Sequence, residues 1–99
     1  MFFVISRLNG FMLEFTISFH YDNETHRAGV VKSASEEAIE YDVRPITPSI
    51  VRKFGKQIII YRRDEQFNAN NHIDDDYRDF FNALVTALRD QDMEEAGRP

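Results

Sequence analysis

The densest group of possible metal ligands is the run His72-Ile73-Asp74-Asp75-Asp76. A hard cation needs several oxygens that converge on one point. Successive carboxylates at the start of a helix point in different directions, and the run lacks the glycine and the spaced acids of a calcium loop. We interpret it as a helix cap with acids at the positive end of the helix dipole. We therefore expect no metal site and no cofactor.

A second group of residues that could take part in catalysis lies on one predicted strand face. It consists of Glu14, His20 and Arg27. A histidine beside a carboxylate can act as a general base. Nothing in the sequence supplies a nucleophile or oxyanion donors nearby, so a solvated strand face is the favoured interpretation. We predict no catalytic residues, and a small-ligand-binding protein or enzyme stays as an alternative.

Basic residues are concentrated in positions 52–63, beside a tyrosine. They are Arg52, Lys53, Lys56, Arg62 and Arg63, with Tyr61 among them. A basic patch with an aromatic platform is typical of single-stranded nucleic-acid binders. The net charge of the chain is −5, however, and an acidic protein repels phosphates. We predict no nucleic-acid binding, and we expect these cations to pair with acids of the same chain or to guard an edge strand.

The acidic segment 74–95 has two interpretations. It is either the solvent-exposed face of a helix followed by a solvated tail, or a surface that docks on a basic protein by electrostatic steering, as inhibitors and immunity proteins do.

The triplet Asn23-Glu24-Thr25 matches the glycosylation acceptor pattern. Without a secretory signal we interpret this match as chance.

Length and composition indicate one domain. The chain has 99 residues and no cysteine, which excludes disulfides and fits a reducing compartment, so we expect a cytoplasmic protein. No apolar run approaches the roughly 18–20 residues that span a bilayer, and the apolar start lacks a basic leader, so we predict no membrane segment and no cleaved signal. The predicted organisation is an N-terminal extension (1–11), one domain (12–90) and a charged C-terminal tail (91–99).

Alternation of apolar and polar residues predicts the strands. It is unbroken from Leu13 to Asp22, and a loop at Asn23-Glu24 would pair Phe19 with Ala28 in a hairpin over residues 13–32. A third strand is expected over residues 39–44, with Pro45 at its end, and a fourth over 57–63, while residues 68–71 are predicted to form a loop.

Two segments carry helix signals. Thr47 is placed to cap a short helix that starts at Pro48 and stops at Gly55. Helical spacing over residues 75–90 predicts an amphipathic helix, whose apolar stripe is Tyr77, Phe80, Phe81, Leu84, Val85 and Leu88.

These signals together predict an α+β fold of two layers. A four-stranded, mostly antiparallel meander packs one face on the C-terminal helix, with the short helix between strands three and four. The predicted core is Leu13, Phe15, Ile17, Phe19, Val30, Tyr41, Val43, Ile50, Phe54, Ile58, Ile60, Phe80, Phe81, Leu84 and Leu88.

Surplus apolar residues suggest a function. A one-sided core has no obvious place for Phe2, Phe3, Val4, Ile5, Phe11, Val31, Ile59 and Tyr61. We predict a non-enzymatic interaction domain that forms a homodimer, through the uncovered sheet face or an edge strand. The predicted interaction surface is Val31, Ile59, Tyr61, Arg62 and Arg63. The alternatives are an acidic inhibitor or immunity-type binder of a basic protein, and a small-ligand-binding protein or enzyme.

Overall fold

The computed structural model describes residues 11–69 and 75–96 of the chain. Within that part, an antiparallel sheet with strands in sequence order is accompanied by two helices. The strands are β1 (Phe11–Tyr21), β2 (Glu24–Ala34), β3 (Ile39–Pro45), β4 (Ile58–Arg63) and β5 (Gln66–Ala69), and the helices are α1 (Pro48–Phe54) and α2 (Asp75–Ala96). The α+β class with an antiparallel sheet and a C-terminal helix is confirmed. The predicted strand number of four is wrong, because the described residues already form a sheet of five strands.

A two-residue turn of Asp22 and Asn23 joins β1 to β2, one position earlier than the predicted loop. Both residues have positive φ, 55° and 62°, as the centre of a type I′ turn requires. Asp and Asn tolerate this region better than the glutamate that the prediction placed there. Phe19 consequently faces His26 rather than Ala28. The register differs from the predicted one by two residues, so every side chain keeps its predicted face.

Strand β5 is not one of the four predicted strands. A turn at Asp64, whose φ is 58°, folds the chain back on β4. Asn68 and Ala69 pair with Tyr61 and Ile60, so a loop at these two positions is wrong. Gln66-Phe67-Asn68-Ala69 does alternate, but four residues give only two repeats of the pattern, the shortest run that can indicate a strand.

Helix α1 has the predicted ends and the predicted N-cap residue, Thr47, but lacks the side-chain capping bond. Pro48 is its first residue, and Gly55, with φ 101°, ends it. The backbone oxygen of Thr47 accepts the Val51 amide at 3.0 Å, yet the Thr47 side chain makes no capping hydrogen bond. Its hydroxyl lies 3.1 Å from Nδ1 of the buried His26 instead. The threonine therefore links α1 to β2, which is a correction of its predicted role.

Helix α2 lies on one face of the sheet and closes the core. Its buried residues, Tyr77, Phe80, Leu84, Val85 and Leu88, follow the predicted stripe. The helix continues to Ala96, beyond the predicted end at residue 90. In the described part of the chain, no helix is long and apolar enough to cross a membrane.

The core between α2 and the sheet contains most of the predicted residues. Those found buried are Ile17, Phe19, Val30, Tyr41, Val43, Ile50, Ile58, Ile60, Phe80, Leu84 and Leu88. Four predicted core residues are only partly buried, namely Leu13, Phe15, Phe54 and Phe81. Leu13 and Phe15 belong to β1, the first strand of the sheet order, so no described strand covers their outer side.

Candidate functional site

The predicted interaction surface divides between the two faces of the sheet. Val31, Ile59, Tyr61 and Arg63 lie on the face turned away from α2, which we call the open face. Arg62 lies on the other face, where its Nη1 is 2.6 Å from Oδ2 of Asp92. Strand alternation explains the division, since consecutive residues of a strand point to opposite sides. Arg62 therefore lies on a different face from the other four residues of the predicted surface.

On the open face, Asp42 of β3 lies between Val31 and Ile59 in the strand register, so these two apolar residues are not neighbours. The Asp42 carboxylate accepts hydrogen bonds from Arg44 at 3.1 and 3.3 Å and from the Gln57 amide at 3.1 and 3.2 Å. The centre of the open face is thus a satisfied polar cluster between two partly buried apolar side chains. Such a mixed face is compatible with water.

Two shallow depressions mark the open face. One, of about 460 Å³, lies over Gly29, where a side chain is missing from the row that holds Thr16 and Arg44. The other, of about 680 Å³, lies between Tyr61 and the turn that follows Arg63. Both are open to solvent and lack the enclosure that buries most of a small ligand.

The histidine and acid of the predicted strand face are far apart. His20 and Glu14 are six positions apart on one strand, which corresponds to about 20 Å. His20 pairs in register with Thr25, and its Nδ1 lies 3.0 Å from the Thr25 hydroxyl. Arg27 pairs with Ser18. These residues are exposed, as a solvated face requires.

The basic residues of positions 52–63 are dispersed by the fold. Lys53 lies 3.3 Å from Asp76 at the start of α2, and Arg62 pairs with Asp92. Arg63 projects from the open face. Residues 72–74 of the predicted acidic run lie outside the described residues. Among those that are described, no three His, Cys, Asp or Glu side chains are placed to hold a metal ion.

The most buried ionic group of the described chain is centred on Asp92, which was not predicted as a site residue. Its carboxylate lies 2.8 Å from Lys32 Nζ, 2.5 Å from the Tyr41 hydroxyl and 2.6 Å from Arg62 Nη1. The side chains of Asp92 and Lys32 are only 13% and 9% exposed. One carboxylate thus connects α2 to strands β2, β3 and β4.

The Asp92 cluster stabilises the fold and does not supply a reactive group. Burial, reinforced by the hydrogen bond to Asp92, raises the pKa of the Tyr41 hydroxyl above its ordinary value, so this hydroxyl stays protonated and donates. Each carboxylate oxygen has at least one donor, and the aromatic ring of Phe67 stacks on Tyr41 at 6.0 Å. These bonds hold the end of α2 in place and leave no free base or nucleophile at the carboxylate.

A different signal stands out at β1, whose outer side we call the β1 edge. The strand has 11 residues, pairs with β2 without a bulge, and is the first in the sheet order. Proteins usually protect such an edge with proline, lysine, a bulge or a short strand. Glu14 is the single charged Asp, Glu, Lys or Arg side chain in β1, and the strand has no proline. The opposite edge strand, β5, is only four residues long, and such a short strand offers little edge to another chain.

Comparison of this chain with protein-family models, with curated proteins and with solved structures finds no match. Functional inference therefore rests on the geometry of the chain itself.

Proposed function

We propose that this protein is a non-enzymatic interaction domain that self-associates. The observation that carries the proposal is the β1 edge, a long, regular and nearly uncharged strand with an unguarded outer side among the described residues. Unpaired backbone groups on such a strand are a template for another chain. In this proposal the protein acts in the cytoplasm.

Partly buried apolar side chains support an interface at this edge. Leu13 and Phe15 belong to the helix-covered face, yet both keep solvent contact at its margin. Covering them would remove apolar surface from water, and this burial stabilises a complex by about 25 cal/mol per Å². Val31, Ile59, Tyr61 and Arg63 remain a predicted second surface, and the polar cluster of Asp42 makes it the weaker candidate.

Sedimentation velocity tests the proposal directly. The full chain is measured from low to high micromolar concentration, and we expect the weight-average mass to rise from that of one copy toward that of two. A constant single-copy mass up to several hundred micromolar would refute self-association.

A second candidate function is binding of a basic protein. Helix α2 exposes the acids Asp75, Asp76, Asp79 and Asp90 and only two arginines, Arg78 and Arg89, so the described part of its outer side is net negative. Such a surface steers a basic partner by long-range attraction. This function predicts a complex whose affinity falls with salt and with the double change Asp79→Asn and Asp90→Asn.

A further inference from the structure

The backbone groups of β1 that point outward can be identified from the neighbouring strands. The oxygen of Arg27 in β2 accepts the amide of Ile46 at 3.0 Å, so Arg27 directs its backbone groups toward β3. Consecutive residues of a strand alternate in this direction, so Ala28 directs its groups toward β1. Its register partner Ile17 therefore bonds inward.

The even-numbered residues of β1 are consequently the ones whose amides and carbonyls face the β1 edge. They are Met12, Glu14, Thr16, Ser18 and His20. The side chains of these five residues are exposed on the open face. Each residue offers one donor and one acceptor to an incoming strand.

We infer that the β1 edge pairs antiparallel with β1 of a second copy about a twofold axis at Thr16, so that one continuous sheet crosses the dimer. The inference rests on the proposed self-association and specifies its site. A twofold axis perpendicular to a sheet necessarily makes the two edge strands antiparallel.

Thr16 is the centre because it is the midpoint of Phe11–Tyr21. About this axis the ends of the two strands coincide, and every outward-facing group of the five residues finds a partner. A centre elsewhere on β1 leaves some of these groups without a strand opposite them. A centre at Glu14 would also bring two carboxylates together, which is unfavourable.

Side chains agree with this register. Phe15 would lie beside the partner's Ile17 and Leu13 beside the partner's Phe19, so that the partly buried residues of each copy meet apolar ones. On the open face Glu14 would lie beside the partner's Ser18, which avoids a like-charge pair. The second copy therefore covers the apolar surface that α2 leaves at the margin of β1.

Single cysteines test the register, because the chain has none of its own. In a hydrogen-bonded antiparallel pair the two Cα atoms are about 5.5 Å apart, within reach of a disulfide. Thr16→Cys should oxidise to a covalent dimer. Glu14→Cys and Ser18→Cys should each stay mostly monomeric when oxidised alone, since their own copies lie about 13 Å apart along the strands. Mixed together, those two variants should cross-link.

Thr16→Pro tests the backbone contacts. Proline removes an outward-facing amide and leaves the bonds to β2 intact, as edge strands tolerate. We expect dimerisation to weaken at least about tenfold, while Thr16→Val, which keeps the amide, retains it. Circular dichroism of each variant monitors the fold.

The outcomes separate the inference from the proposed function. If the wild type dimerises but Thr16→Cys does not cross-link and Thr16→Pro dimerises normally, the β1 pairing is wrong and self-association stands. If the wild type never dimerises, both are refuted. Hydrogen exchange at the Glu14, Thr16 and Ser18 amides should slow as concentration rises. Protection independent of concentration would mean that the same chain occupies the edge, and would overturn the inference.

Discussion

The Tyr41 hydroxyl donates a hydrogen bond of 2.5 Å to the carboxylate of Asp92, across 51 positions of the chain. Tyr41 is fully buried in the central strand of the sheet, and Asp92 lies near the end of α2. The bond therefore ties the last turns of the helix to the middle of the sheet. With Lys32 and Arg62 as further donors, it makes Asp92 the more buried of two polar anchors of the helix, the other being the pair of Asp76 with Lys53.

Removal of this anchor should destabilise the protein strongly. Asp92→Ala removes the carboxylate that lies 2.8 Å from the nearly buried ammonium of Lys32, and breaking such a buried pair costs about 3 kcal/mol. Urea denaturation measures the change in the free energy of unfolding. The matched control is Asp90→Ala, an exposed acid of the same helix, for which we expect a change within about 0.5 kcal/mol. Equal effects of the two variants would contradict an anchoring role.

Tyr41 should make stability fall at alkaline pH. The folded state raises the pKa of its hydroxyl above the unfolded value of about 10, so the native protein holds this proton more tightly than the unfolded chain. Its contribution is complete below pH of about 10 and is lost as the pH rises toward the higher folded pKa. Tyr41→Phe should therefore reduce the slope of stability against pH in this range. It should also lower stability at neutral pH by about 2 kcal/mol, because a hydrogen bond to a charged group is lost.

Thr47 should matter through His26 rather than as a helix cap. Its hydroxyl is 3.1 Å from the histidine Nδ1, while the side chain makes no bond to α1. Thr47→Val keeps the shape, removes the hydroxyl and leaves a buried ring nitrogen without this partner, so we expect a loss of about 1 kcal/mol. Thr47→Ser should be close to neutral. A double-mutant cycle with His26→Phe should show that most of the effect depends on the histidine, and independent effects would point to capping instead.

Long periodic segments made the general fold predictable from the sequence. The alternation from Leu13 onward and the helical stripe that ends at Leu88 identify the two layers and the side on which they meet. The sequence also places Asp92 four residues after Leu88, on the apolar side of the helix, and Lys32 in phase with the buried Val30. The sequence does not predict that Asp92 and Lys32 are in contact, because 60 positions separate the two residues and no local pattern joins them.

Salt should strengthen self-association. Two copies with a net charge of −5 each repel one another, while β1 itself carries little charge. Screening by salt therefore weakens the repulsion between the copies. We expect the dimer dissociation constant to fall a few-fold between about 50 and 500 mM NaCl. Binding to a basic protein through α2 would change in the opposite direction. Sedimentation at several salt concentrations thus distinguishes the two proposed functions in one series.

The first hairpin allows a test of the observed register against the predicted one. In the observed turn Asn23 has φ 62°, a conformation that glycine adopts without strain, and the second position of a type I′ turn favours glycine. Asn23→Gly should therefore stabilise the protein by about 0.5 kcal/mol, and Asn23→Ala should destabilise it by about 1 kcal/mol.

Glu24 is the matched control for this turn. It is the first residue of β2 and pairs with Tyr21, so Glu24→Gly weakens a strand position and should lower stability. In the predicted register Glu24 would instead occupy the second position of the turn, and the same change would be stabilising. Thermal unfolding of the two glycine variants therefore gives opposite signs for the two registers. The sign also bears on the β1 edge, because the turn sets which residues of β1 direct their backbone groups toward β2 and which direct them outward.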